Sequence, residues 1–214
     1  MDLTLLAAFA VACFVISVVP GPDMLNIVAN ALAGGRRAGL VSAFGMSTGL
    51  AIHTVAAAFG LGALIQAAPM ALDIIRIFGA VFLLYLAVST WLASRKASAL
   101  PDAVAVAPTM RLRKVFLMAT LTNLANPKVI IFFLAFFPQF LSPGAGMLPV
   151  TAQFLLLGAT FIGIGICVDA TVGFLAGTLS EQILRRRSFK RWLERVSAAI
   201  FGGLAVRLVL DARS

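Results

Sequence analysis

The chain has 214 residues, 61% of them hydrophobic and only 12% charged, with a formal net charge of +9. A water-soluble domain carries about 25% charged residues, so there are too few here to cover a soluble surface. The positive charge does not point to nucleic acid, because the basic residues stand in short clusters between apolar runs, the distribution that membrane topology produces.

Crossing about 30 Å of hydrocarbon takes about 20 apolar residues in a helix. Residues 3–19, 40–65, 74–92, 115–140, 149–179 and 196–210 supply six candidate spans. A β-barrel would alternate apolar and polar residues, and the run from Val129 to Leu134 does not. The composition therefore predicts an all-α membrane protein with about six transmembrane helices. The opening Met1-Asp2-Leu3 lacks the basic start of a cleavable signal, so the first run is read as a span.

That first apolar stretch continues to Gly34. As one helix it would measure about 48 Å, too long for the hydrocarbon core. Pro20-Gly21-Pro22 lies near its middle. Proline removes a backbone donor and clashes with the preceding turn, and glycine adds backbone freedom, so a break is predicted there. Asp23, Asn26 and Asn30 follow at i, i+3 and i+7 and share one helix face. Arg36 and Arg37 then mark a connection. The second span carries His53 and a small-xxx-small pair, Gly45 and Gly49, whose spacing lets helices approach closely. Packing within the bundle is the default for such a pair, a homodimer interface the alternative. After the third span, residues 94–114 form a basic linker with Pro101 and Pro108. The linker separates a first three-helix repeat (1–93) from a second (115–214).

The fourth span has its own interruption at Asn126-Pro127, with Thr120 and Asn123 on the same face as Asn126. Pro22 and Pro127 fit the first positions of new half-helices and Asn126 fits an N-cap. Lys128 follows the second break as Asp23 follows the first. The fifth span carries Asp169 and a Gly173–Gly177 pair. Cys13 and Cys167 have no metal-type or redox spacing and read as small apolar side chains. The sixth span is short and has Arg207 near its end.

Alternate connections are basic. Arg36 and Arg37, then Arg95, Lys96, Arg111, Arg113 and Lys114, then Arg185, Arg186, Arg187, Lys190, Arg191 and Arg195 occupy the first, third and fifth, whereas 66–72 and 141–148 hold no Lys or Arg. The positive-inside rule puts the basic connections in the cytoplasm and both termini outside. Three spans plus three makes the second half enter the membrane from the opposite side, the arithmetic of a 3+3 inverted-topology repeat. Breaks at matching places in two such halves point to a midplane binding site.

A half-helix N-terminus offers free N–H groups and partial positive charge, a seat for a carboxylate. An ionised side chain near the bilayer centre needs a partner or a polar cavity. Asp23 and Lys128 are thus expected to approach each other or to share a substrate, Asp23 facing an ammonium and Lys128 a carboxylate. The substrate-binding candidates are Pro20, Gly21, Pro22, Asp23, Asn26, Asn123, Asn126, Pro127 and Lys128. The polar stripes fall in the cytoplasmic halves of their spans and the outer halves are apolar, a vestibule beneath a dry gate.

With these residues in view, the chain resembles the bacterial lysine/homoserine-threonine exporter family (LysE/RhtB). The resemblance rests on Val19-Pro20-Gly21-Pro22-Asp23-Met24-Leu25, Gly34-Gly35-Arg36-Arg37-Ala38-Gly39-Leu40, Gly45 to Gly49 with His53, Asn126-Pro127-Lys128, and the stretch from Phe132 to Phe140. It implies export of amino acids across the bacterial inner membrane, driven by the proton motive force, with no cofactor and no enzymatic activity. Asp169 and His53 are the candidates for proton coupling; the alternative for His53 is a hydrogen-bonded packing role, and for Asp169 a pairing with Arg76 or the capping of a neighbouring helix. The other readings weighed are a divalent metal-ion exporter, for which Asp23 and Asp169 make a thin ligand set, and a membrane-embedded enzyme, for which no nucleophile–base set is evident.

Overall fold

A computed structural model describes residues 2–67, 111–142 and 147–178, with scattered positions in 77–92 and 195–203. Among them every regular element is helical. The predicted third and sixth spans, the linker, Arg76, Arg207 and the Arg185–Arg187 cluster lie largely or wholly outside the described residues.

Helix α1 (Leu3–Val18) starts on Asp2, whose side chain accepts the Thr4 N–H at 2.7 Å. It ends where Pro20 and Pro22 take away two backbone donors. Helix α2 (Pro22–Ala67) begins at Pro22 and contains one non-helical residue, Gly35, with φ 68°. A straight helix would hold Asn26 and Ser42 about 24 Å apart, yet their side chains meet at 2.9 Å. The chain therefore reverses at Gly35, and α2 is two antiparallel arms, 22–34 and 36–67. This corrects the expected connection of several residues. Arg36 and Arg37 are helical, and a single glycine in the left-handed region makes the turn, a conformation closed to most side chains.

Helix α3 (Leu112–Leu124) stops at Ala125, and α4 (Pro127–Ile131) restarts after a 48° bend. Asn126 is the N-cap, its Oδ1 accepting the Lys128 N–H at 3.0 Å, and Pro127 opens the helix. Both sequence breaks are present. The chain then winds through a π-helical turn (Phe132–Phe136) and a 3-10 turn (Phe137–Phe140). Helix α5 (Val150–Ala176) is 27 residues long and apolar enough to cross a membrane; at 1.5 Å per residue it spans about 40 Å.

Close approach organises the bundle. The second arm of α2 lies against α3 and α5. A Cβ on Gly49 would stand 2.6 Å from Asn123 Oδ1, and one on Gly39 2.6 Å from the Gly173 carbonyl. The small-xxx-small pairs thus pack inside the bundle. At one end, Asp2 donates to Ser142 Oγ and Gln153 ties Ser142 to Leu148. At the other, Gly177 meets Gly35 and Arg36, and Arg36 sits over the Phe174 ring at 4.9 Å.

Two packing regions result. Between the breaks and the Asp2 end, Phe9, Phe132, Phe133, Phe136, Phe137, Phe140, Phe154 and Phe161 form one dry aromatic cluster. Towards the Gly35 end the core is small, built on Ile27, Met46 and Ala119, and is accompanied by hydrogen bonds among Asn26, Asn30, Ser42 and Thr122.

Candidate functional site

The two breaks come together. A cavity of about 20 Å³ is lined by Ile16, Ser17 and Asp23 from the first break, Asn123 and Lys128 from the second, and Phe161 and Asp169 from α5, among others. A single water needs about 10–15 Å³, so in this conformation the space holds a water and no amino acid.

The polar groups at the breaks are under-satisfied. Asp23 Oδ1 and Asn123 Oδ1 on the cavity wall, and Asn126 Nδ2 and His53 Nε2 outside it, make no hydrogen bond of good geometry among the described residues, although the Asn123 and Asn126 side chains lie close to the Asp23 carboxylate. Buried polar groups are ordinarily paired, and an orphan costs about 1–3 kcal/mol. Incompletely paired groups gathered at one pair of helix breaks mark a place that can receive polar atoms.

The ionisable residues sit as follows. Asp23 is 9% exposed, one position into the first arm of α2. Lys128 shares its cavity, but no ion pair joins them; the Lys128 Nζ donates instead to the carbonyls of Ile16 and Val19, at 3.2 and 3.3 Å. Asp169, with one α5 turn between it and Gly165, lines the same space. His53 is half-buried, stacks on Phe133 with centroids 5.4 Å apart, and lies against the backbone of Asn123 and Leu124.

Other sequence candidates shape the site or stand away from it. Pro20, Gly21, Pro22 and Pro127 form the breaks, and Gly21 gives room to the Lys128 ammonium. Asn126 caps α4. Asn26 does not line the cavity. Its Oδ1 accepts from Asn30 and Ser42 and its Nδ2 donates to Thr122, so it fastens the arms of α2 to each other and to α3. Ser17, Phe161 and Gly165 line the cavity without having been singled out by the sequence. Their convergence is a product of packing, and only their place on spans beside the breaks hinted at it. Among the described residues no three His, Cys, Asp or Glu side chains gather as a metal site.

Residues 14–212 match the LysE type translocator family. The chain belongs to that family. It is a multi-pass membrane protein of a transporter family, and the sequence resemblance is correct. Similar proteins include an uncharacterized membrane protein of Vibrio cholerae, 32% identical over 211 residues, 97% of this chain and 98% of that one. A homoserine/homoserine lactone efflux protein of Salmonella typhimurium is 35% identical over 176 residues, 82% of this chain and 80% of that one. The protein of the same description from Salmonella typhi is 33% identical over 183 residues, 86% and 85% of the two chains. No solved structure matches.

Proposed function

We propose that this translocator is a secondary-active exporter of amino acids or close derivatives across the bacterial inner membrane, coupled to protons, with its cargo site at the two helix breaks. The supporting observation is a cavity between two interrupted helices that is lined by Asp23, Asn123, Lys128 and Asp169, with Asp23 Oδ1 and Asn123 Oδ1 making no hydrogen bond among the described residues. Asp23 faces the cargo ammonium. The half-helix N-terminus at Pro22 receives an acceptor oxygen, a carboxylate or a lactone carbonyl, whereas the N–H groups that open the Pro127 helix are already bonded to Asn126. The relatives named for homoserine and homoserine lactone efflux support this division. Those two cargoes share the ammonium and differ in having a free carboxylate.

Asp169 and His53 carry the proton, the first on the cavity wall and the second behind the second break. The two halves form a 3+3 inverted repeat, with the Gly35 turn on the cytoplasmic side and the Asp2 end outside. The aromatic cluster is then the outer barrier, and the asparagine-rich side opens inward, which suits export.

Counterflow in proteoliposomes tests this reading. Vesicles loaded with an unlabelled amino acid should accumulate the labelled one from a panel that includes homoserine, and a pH gradient should drive net movement. Uptake of cadmium or manganese with no amino-acid counterflow would contradict it.

A further inference from the structure

We propose that Lys128 is a positioning residue of the transport cycle: its ammonium pins the open C-terminal end of α1 across the first break and does not bind the cargo carboxylate. This rests on the cargo site proposed above and deepens it.

In an α-helix the carbonyl of residue i accepts the N–H of residue i+4. For Ile16 that partner is residue 20, a proline without an N–H. The last regular bond of α1 is Val19 N–H to the Val15 carbonyl. Beyond it the helix end has free acceptors and partial negative charge, in a region where lipid offers no water to satisfy them. Lys128 supplies the missing donor. Its Nζ reaches the Ile16 carbonyl at 3.2 Å and the Val19 carbonyl at 3.3 Å, from 112 and 109 residues away in sequence. These are charge-assisted bonds, the stronger kind.

Gly21 completes the seat. A Cβ there would stand 3.2 Å from Nζ, so the bare glycine lets the ammonium settle against the broken backbone. An ammonium has three donors. Two are committed to α1, and the side chain shares its cavity with the carboxylates of Asp23 and Asp169. A cargo carboxylate would have to compete with four acceptors already in place. The pin instead ties α1 to α4, and so couples the two breaks.

Two readouts test this. In ligand-free protein, Lys128→Gln should speed hydrogen exchange across residues 14–24 about tenfold or more, while α5 is unchanged; unaltered exchange at 14–24 would overturn the pin. In counterflow, Lys128→Gln should cut Vmax for homoserine and for homoserine lactone alike, by about tenfold, and leave the ratio of their KM values within about twofold. A KM that rises about tenfold for homoserine alone would show that Lys128 binds the carboxylate. Gly21→Ala, which crowds the ammonium by a few tenths of an ångström while keeping it, should shift exchange at 14–24 in the same direction and by less; a Gly21→Ala effect undiminished in the Lys128→Gln background would overturn the proposal. Failure of the unaltered protein to move either compound would speak against the cargo reading, and the exchange measurement would still decide the pin.

Discussion

Ser42 donates to Asn26 Oδ1 across 2.9 Å, a contact that exists because the chain turns back on Gly35. Asn30 donates to the same oxygen and Asn26 donates to Thr122. Interhelical hydrogen bonds in membranes are worth about 0.6 kcal/mol on average. Asn26→Leu removes two interhelical bonds, to Ser42 and Thr122, and should cost about 1 kcal/mol of stability. The check is a lowered melting temperature in detergent with the cargo KM unchanged; a KM effect without destabilisation would put Asn26 back in the cargo site.

Gly49 and Gly60 make a matched pair. A Cβ on Gly49 would lie 2.6 Å from Asn123 Oδ1, whereas one on Gly60 meets nothing within 4 Å. Gly49→Ala should therefore push α2 from α3 and reduce the yield of folded protein, and Gly60→Ala should not. Size-exclusion profiles of the two variants give the comparison directly.

Gln153 is fully buried and accepts the Ser142 N–H while donating to the Ser142 and Leu148 carbonyls. Leucine at 153 would leave these groups unpaired, each at about 1–3 kcal/mol. Gln153→Leu should lower the melting temperature more than Gln153→Glu, which keeps an acceptor for Ser142.

Phe9 contacts the rings of Phe132, Phe137 and Phe140, with centroids 6.0, 4.9 and 5.1 Å away. Aromatic pairs contribute about 0.5–1.5 kcal/mol each, so Phe9→Ala should cost about 2–4 kcal/mol. With this cluster as the outer barrier, the variant should also leak: vesicles containing it should lose preloaded cargo faster than those with the unaltered protein.

The helix breaks were legible in the sequence because proline acts locally; Pro20, Pro22 and Pro127 remove donors whatever surrounds them. The N-cap role of Asn126 follows from the same local chemistry. The reversal at Gly35 was harder to see, since Arg36 and Arg37 are good helix formers and also read as a loop signal. The winding from Phe132 to Phe140 has no local signature beyond Pro138. It accompanies the ring packing, and ring packing depends on which helices meet. The meeting of Asp23, Lys128 and Asp169 was half legible: intramembrane charge demands company, but the carbonyl partners that Lys128 uses are visible only once α1 and α4 are placed.

In the proposed cycle Asp23, one residue beyond a broken helix, holds the ammonium of an exported amino compound. Counterflow of labelled homoserine into proteoliposomes carrying Asp23→Asn, compared with the unaltered protein at equal folded amount, tests it most directly. Loss of Vmax/KM by about a hundredfold, about 2.7 kcal/mol, is predicted. Counterflow at the unaltered rate and KM would contradict the claim.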